Sequence, residues 1–320
     1  MFNTPILYII FNRLDTVQQT FPVIKKQKPK YLYIAADGAR KDKEGELEKC
    51  QQVRDWVLSQ IDWDCDVKTL FRDENLGCGK GPAEAITWFF NNVEQGIILE
   101  DDCLPSDSFF KYCEELLEYY KDDERIWHIA GYNCKGIHKN KLFSYSYTAI
   151  QPVWGWATWK NRWKKYDYKI NKNEINDLDS HIYFRFNYRK KYWYKIFSED
   201  LDTICAWDYQ WTFCILKNNG FCCVPVLNQI KNIGWGIDST HFQNSNGEKF
   251  ILPTYELSTI THPKRLEYDK KLIKYTDKVV FNLEADSYFT FVVKGLFIKF
   301  PKFILKKLGL FDFVKAKLKH

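Results

Sequence analysis

Three consecutive acids, Glu100, Asp101 and Asp102, follow the apolar run Ile97-Ile98-Leu99 in the stretch QGIILEDDCLP. Like charges that share a site repel one another. A buried-looking strand leading into such a triplet therefore ends either in a solvated loop or beside something cationic. Alternation along an extended backbone sends Glu100 and Asp102 to one side and Asp101 to the other, so the triplet is expected to address two different groups. Hard carboxylate oxygens on a short turn suit Mg²⁺ or Mn²⁺, which take one or two carboxylates and fill their other positions with water and substrate phosphate. A divalent ion carrying a diphosphate is the expected source of the missing charge.

The elements that must position these acids are legible in the first 135 residues. Residues 5–11 read as a buried strand, after which Val17, Phe21 and Ile24 fall at helical spacing. Residues 30–38 form a second strand ending at Asp37-Gly38, and Leu47, Cys50, Val53, Val57 and Ile61 mark a helix. A third strand at 66–71 precedes a helix opened by Pro82 and carrying Ile86, Phe89, Phe90 and Val93. After a fourth strand at 96–99, Ser106 or Asp107 caps a helix with Phe109, Phe110, Cys113, Leu116, Leu117 and Tyr120, and residues 125–133 return to strand. Strict alternation of strand and helix predicts an α/β fold with a mostly parallel sheet flanked by helices.

Ligands of such sheets bind at the carboxyl ends of the strands. Here those ends read Asn12-Arg13, Asp37-Gly38, Arg72-Asp73-Glu74-Asn75 and Glu100-Asp101-Asp102, polar or charged where a turn needs only Gly, Asn or Ser. Four together suggest a site, with Asn12, Arg13, Asp37 and Arg72 on its rim. The stretch GCGKGP lacks the spacing of a phosphate loop; it reads as a turn into the next helix, with Lys80 near the same site.

Beyond residue 140 the pattern changes. QPVWGWATWKNRWKKY holds four tryptophans, TICAWDYQWTFCILKNNGF adds two, and NIGWGIDSTHF follows. Trp159 and Trp163 are spaced for an amphipathic helix, and Asp208 stands where YQWTFCILKNNG needs an N-cap. Aromatic residues make up 18% of the chain, which suits either a ring-lined binding face or an aromatic core. The expected organisation is a donor half (1–135) and an aromatic-rich acceptor half (136–285) of one domain, then a tail (286–320).

Composition bounds the function classes. With 45% hydrophobic and 28% charged residues, the 320-residue chain is folded and not disordered. Its ten cysteines show no C-x-x-C, which points to reduced thiols in a cytosolic compartment. The opening MFNTPILYIIF lacks a basic n-region and reads as a strand, not a signal peptide. No segment reaches the roughly 18 apolar residues of a membrane span. The net charge of +6 is localised: residues 289–320 carry eight lysines against Asp312, leaving 39 basic and 40 acidic residues elsewhere. A neutral body argues against nucleic acid as partner. The tail places Phe300, Ile304, Leu308 and Phe311 on one stripe and Lys299, Lys302 and Lys306 on another, as an element lying on an anionic membrane surface does.

The order strand, Asn-Arg, strand, Asp-Gly, then ILEDDCLPSDSFFKY resembles the GT-A nucleotide-diphospho-sugar transferases. The likeness is closest to the N-acetylglucosaminyltransferase family that initiates hybrid and complex N-glycans and to its bacterial polysaccharide-assembling relatives. It covers about residues 3 to 260, and GWATWKNRW, WDYQW and NIGWGIDSTHF look like the bacterial branch. The resemblance implies a Rossmann-like GT-A fold and an inverting, metal-dependent transfer from a UDP-sugar (GlcNAc, galactose or glucose) to a glycan or lipid-linked saccharide acceptor. Capsule or lipopolysaccharide assembly at the cytoplasmic face of the inner membrane is the implied setting. It places Arg13 beside base and diphosphate, Asp37 on the base ring N–H, Glu100 and Asp101 at ribose and donor sugar, and Asp102 on Mn²⁺ or Mg²⁺. Asp208 becomes the general base, Trp154, Gly155, Trp156 and Trp207 line the acceptor, and His241 reaches the metal or a phosphate. Two rivals are a sugar nucleotidyltransferase, whose Gly-rich G-x-G-x-R loop is replaced here by IIFNRLDT, and a membrane-docked binding module without turnover.

Overall fold

The computed structural model describes residues 2–138, 142–200, 206–234 and 249–283. The chain begins β1 (Ile6–Ile10), α1 (Leu14–Gln27), β2 (Tyr31–Ala36), α2 (Glu46–Ser59), β3 (Asp66–Phe71), α3 (Gly77–Asn92) and β4 (Gln95–Glu100), the alternation that its periodicity predicts. These four strands are parallel, with β1 hydrogen-bonded to both β2 and β4. Successive strands are added on one side of β1 and then on the other. The crevice at the C-terminal ends of β1 and β4 is the switch point where such sheets take ligands.

The chain continues through β5 (Cys103–Pro105), α4 (Asp107–Tyr119), β6 (Ile126–Ala130), β7 (Tyr145–Thr148), β8 (Trp156–Trp159) and α5 (Lys160–Trp163). The remaining α-helices and strands among the described residues are α6 (Asn187–Lys195), α7 (Asp208–Lys217), β9 (Phe221–Pro225), β10 (Ile230–Asn232) and α8 (Lys270–Val279). Among the described residues the main sheet has the order β3-β2-β1-β4-β8-β6-β9-β7. β8 is antiparallel to β4 and β6, and β7 to β9, whereas β6 and β9 are parallel. The fold is thus mixed α/β, with a mostly parallel central sheet flanked by helices. A separate antiparallel ribbon joins β5 to β10.

Each strand serves two faces because its side chains alternate. Tyr8, Ile34 and Leu99 pack with Phe21, Val53 and Leu116 on one side, while Leu7, Tyr33 and Ile98 pack with Phe89, Trp156 and Trp211 on the other. A third cluster around Leu178, Phe184, Trp193, Phe197 and Phe213 fills the second lobe. Burial of each such side chain contributes about 1.5–3 kcal/mol.

Four local expectations change. α3 opens at Gly77, ahead of Pro82, because the Asp37 carboxylate accepts from the backbone N–H of Leu76 (2.9 Å) and Gly77 (3.0 Å) and caps the helix from another strand end. Ser106 takes the N-cap position of α4 as expected, but its side chain makes no cap bond: Glu256 accepts from the N–H of Asp107 (3.1 Å) and Ser108 (2.8 Å). GWATWKNRW is half strand and half helix, since Trp156–Trp159 pairs with β4 and leaves one helical turn, Lys160–Trp163, after it. Leu47, expected on the apolar stripe of α2, is 64% exposed; Cys50, Val53 and Val57 form the buried face.

Candidate functional site

β4 ends at Glu100, and the chain turns through Asp101 and Asp102. The strand alternation therefore stops one residue short of separating them, and both acids converge on Arg13. One guanidinium nitrogen, Nη2, contacts Asp101 Oδ1 and lies 3.0 Å from Asp102 Oδ2. Asp101 also accepts from the Phe11 N–H at 3.3 Å, and Thr20 donates to its carbonyl at 3.2 Å. The cation beside the acids in this structure is therefore a side chain from the end of β1. Burial holds the Asp101 carboxyl above the usual carboxylate range despite Arg13. Glu100 is pushed up further, to about 8, by burial first and then by Asp102 and Asp101. The β5–β10 ribbon closes over the turn: Ile233 donates to the Asp102 carbonyl at 2.9 Å, and a Cβ on Gly234 would fall 2.8 Å from Arg13 Nη1.

Among the described residues no three His, Cys, Asp or Glu side chains converge to hold an ion. Within the Asp101-Asp102 pair, Asp102 is the more exposed carboxylate (16% against 5%) and the one open to an ion from the cleft. One hard oxygen ligand fits an ion that takes its remaining positions from diphosphate and water. His241 lies outside the described residues, as does the whole tail from 286.

A cleft of about 1570 Å³ opens from this turn. On the parallel side it is lined by Asn12, Arg13, Asp37, Arg72, Glu100, Asp101 and Asp102. Several of these already have work in the fold. Both Asp37 oxygens accept backbone N–H groups of the α3 entry. Asn12 donates to Glu46 Oε1 at 2.9 Å, and Arg72 pairs with Glu84 at 3.1 Å. Lys80 also reaches Glu84, at 3.4 Å along α3, and is not part of the cleft lining. Cleft residues that sequence reasoning missed are Arg40, Lys43 and Lys49, with Glu46 buried beneath Arg40 and its carboxyl held low by that guanidinium. Their signal, the charged run from 40 to 49, reads equally well as a solvated helix start.

The other side of the cleft is built by the second half of the chain. Trp154, Trp207 and Asp208 line it, together with Tyr132, Gln151, Tyr209 and Phe250. Asp208 is the first residue of α7, one place inside the expected cap, with Trp207 in the cap position. Gln151 Nε2 donates to Thr212 Oγ1 (2.8 Å), which donates to the Asp208 carbonyl (2.9 Å), so the first turn of α7 is tied to the cleft-lining segment 150–154. The Asp208 charge is felt by Glu100 and helps to raise it, which places the two acids in one electrostatic field. Trp156 and Gly155 are placed otherwise than expected. Trp156 is fully buried, stacked between His128 and Trp207, and Gly155 is a turn residue at φ +60° whose Cβ would meet Ile230 Cγ1 at 2.8 Å.

No family model matches the chain, and no curated protein does. Among solved structures it shows likeness to HddC from Yersinia pseudotuberculosis (TM-score 0.30, 9% identity, 52% of this chain and 80% of that one). A second is the 4-diphosphocytidyl-2C-methyl-D-erythritolsynthase from Anaerococcus prevotii (TM-score 0.30, 10% identity, 51% and 76%). Superposition at that level carries no argument about activity. No disulfide joins the nine cysteines among the described residues, and no described helix is long and apolar enough to cross a membrane.

Proposed function

We propose that this chain is an inverting, metal-dependent glycosyltransferase of GT-A type. It moves a sugar from a UDP-sugar to a hydroxyl of a bacterial surface-glycan precursor, as in capsule or lipopolysaccharide assembly. The observation that supports the reading is the meeting of the Glu100–Asp102 turn and Asp208 in one cleft at the switch point of the sheet. Arg13, Arg40 and Arg72, each paired with an acid in the free chain, are the guanidinium groups that a nucleoside diphosphate meets at the donor end of that cleft. At the other end the half-buried ring of Trp154, backed by Tyr132 and Phe250, suits the apolar face of a sugar ring.

In this reading Asp208 takes the proton of the acceptor hydroxyl, whose oxygen attacks the anomeric carbon from the face opposite the diphosphate. The new C–O bond forms as the old one breaks, and the diphosphate leaves with the electron pair. Asp102 is the residue to hold Mn²⁺ or Mg²⁺, which when bound neutralises charge on the departing diphosphate. The basic stripe of residues 289–320 docks the enzyme on anionic lipid at the cytoplasmic face, beside a lipid-linked acceptor.

The test is calorimetric titration of UDP into the full chain with Mn²⁺ and then with EDTA, repeated on D102N. The expected result is binding that depends on Mn²⁺ and loses that dependence in D102N. UDP affinity unchanged by EDTA and by D102N removes the metal from the reading, and no binding under any condition removes the nucleotide as well.

A further inference from the structure

We propose that His128 is the positioning residue for Asp208, holding both ends of the WDYQW segment through its own ring. This rests on the reading of Asp208 as the base. His128 lies on β6, fully buried, and bears on the segment by two routes. Trp211, three residues after Asp208, donates its indole N–H to His128 Nδ1 at 3.2 Å. On the other side His128 stacks on Trp156 (ring centroids 4.8 Å, planes 16° apart), and Trp156 stacks on Trp207 (5.6 Å, 22°), the residue before Asp208. A second hydrogen bond joins His128 Nε2 to the Pro152 carbonyl at 2.9 Å, in the segment whose Gln151 ties down the first turn of α7.

The partners dictate the chemical form of the ring. A carbonyl can only accept and an indole N–H can only donate, so Nε2 carries the proton and Nδ1 is the acceptor. Burial pushes the imidazole down to about 3, which keeps it neutral in this tautomer at physiological pH. The imidazole carries the donor, the acceptor and the aromatic stacking face on one five-membered ring. Phenylalanine keeps the stack and loses both hydrogen bonds; glutamine can keep the hydrogen bonds and loses the ring. Trp156 and Trp207 thereby gain a role in the fold: their rings carry the position of β6 to Asp208.

The experiment compares the full-length wild type with H128F and H128Q by amide hydrogen exchange and by donor turnover, with D208N alongside. In H128F, exchange in residues 206–213 is expected to rise about tenfold while that of β1 and β4 is unchanged. UDP affinity stays within twofold of wild type and kcat falls more than KM changes. H128Q is expected to recover part of the protection of 206–213. Unchanged protection of 206–213 in H128F, or a rise spread evenly over the sheet, overturns the proposal. If H128F does not fold, ¹⁵N spectra of the wild type decide it. A protonated Nε2 and a hydrogen-bonded Trp211 indole support the assignment, and the opposite tautomer or a rapidly exchanging indole overturns it. The two readings fail separately. Full turnover by D208N removes the base yet leaves the exchange result standing, whereas an inactive D208N beside an unaltered 206–213 segment removes His128 alone.

Discussion

Arg13 Nη2 stands 3.0 Å from Asp102 Oδ2 and contacts Asp101 as well, so one guanidinium from the end of β1 answers two of the three acids at the end of β4. The pair joins the two strands that flank the switch point. Any diphosphate or metal entering the cleft meets a charge arrangement that is already half compensated.

Removing that guanidinium leaves poorly solvated like charges without a partner, a loss of about 2–3 kcal/mol. R13Q is expected to be destabilised at pH 8 and to recover part of the loss at pH 5. Asp101 already lies above the ordinary carboxylate range, and its protonation removes the repulsion. Urea titrations at the two pH values check this, and equal losses would mean that Arg13 serves packing and not neutralisation.

D208N is expected to bind UDP in Mn²⁺ as the wild type does and to lose sugar transfer by about 10²–10⁴-fold, the usual contribution of a general base. Steady-state turnover beside calorimetry separates the two effects. Retained turnover would reduce Asp208 to a residue that opens α7.

The folded protein resists protonation of His128, held at about 3 against an ordinary 6.5. Between those values the unfolded chain binds more protons, so stability is complete above pH 6.5 and falls as pH drops toward 3, by up to ~1.4 kcal/mol per pH unit. The wild type is therefore expected to lose about 2 kcal/mol more than H128Q between pH 7 and pH 5 in denaturant titrations. Parallel curves for the two proteins would contradict a neutral buried imidazole.

Asp277 on α8 is almost wholly buried and accepts from Arg189 Nε at 2.7 Å and from the Tyr183 hydroxyl at 2.8 Å. This pair fastens α8 to the lobe that carries α6. D277A leaves the guanidinium buried and uncompensated, at an expected cost of about 3–5 kcal/mol, while R189M/D277L is expected to lie much nearer the wild type. Thermal melts of the two variants decide whether charge pairing or shape holds the helix.

Deleting residues 289–320 is expected to release the chain from vesicles rich in anionic lipid, since each lysine contributes about 1 kcal/mol near such a surface. UDP affinity is expected to survive the deletion. Vesicle co-sedimentation that persists in the truncated chain would locate the membrane contact on the folded body.

The parallel half of the fold was legible because its signals are local. The six residues read as a third strand are β3 itself, and the Val17-Phe21-Ile24 stripe is the buried face of α1. A period of two or of 3.6 reports which residues share a face without reference to anything distant. Gathering polar residues at successive strand ends is local in the same sense, which is why Asn12, Arg13, Asp37, Arg72 and the acidic triplet could be named from the chain and lie around one cleft. The antiparallel second half was less legible. Trp159 and Trp163 have helical spacing, yet hydrogen bonds to β4 make the first of them strand.

Sequence by itself therefore determined the repeating βα units, the strand that runs into three acids and the aromatic bias of the second half. Tertiary structure alone decided which cation meets the acids, Arg13 lying 88 residues before Asp101, and that α3 is capped by Asp37 and α4 by Glu256. It also decided that Trp156 supports Trp207 from below and does not line the cleft. Each of these contacts depends on the lateral order of the strands. Strand order is set by how the helices share two faces of one sheet, and residue periodicity does not encode it.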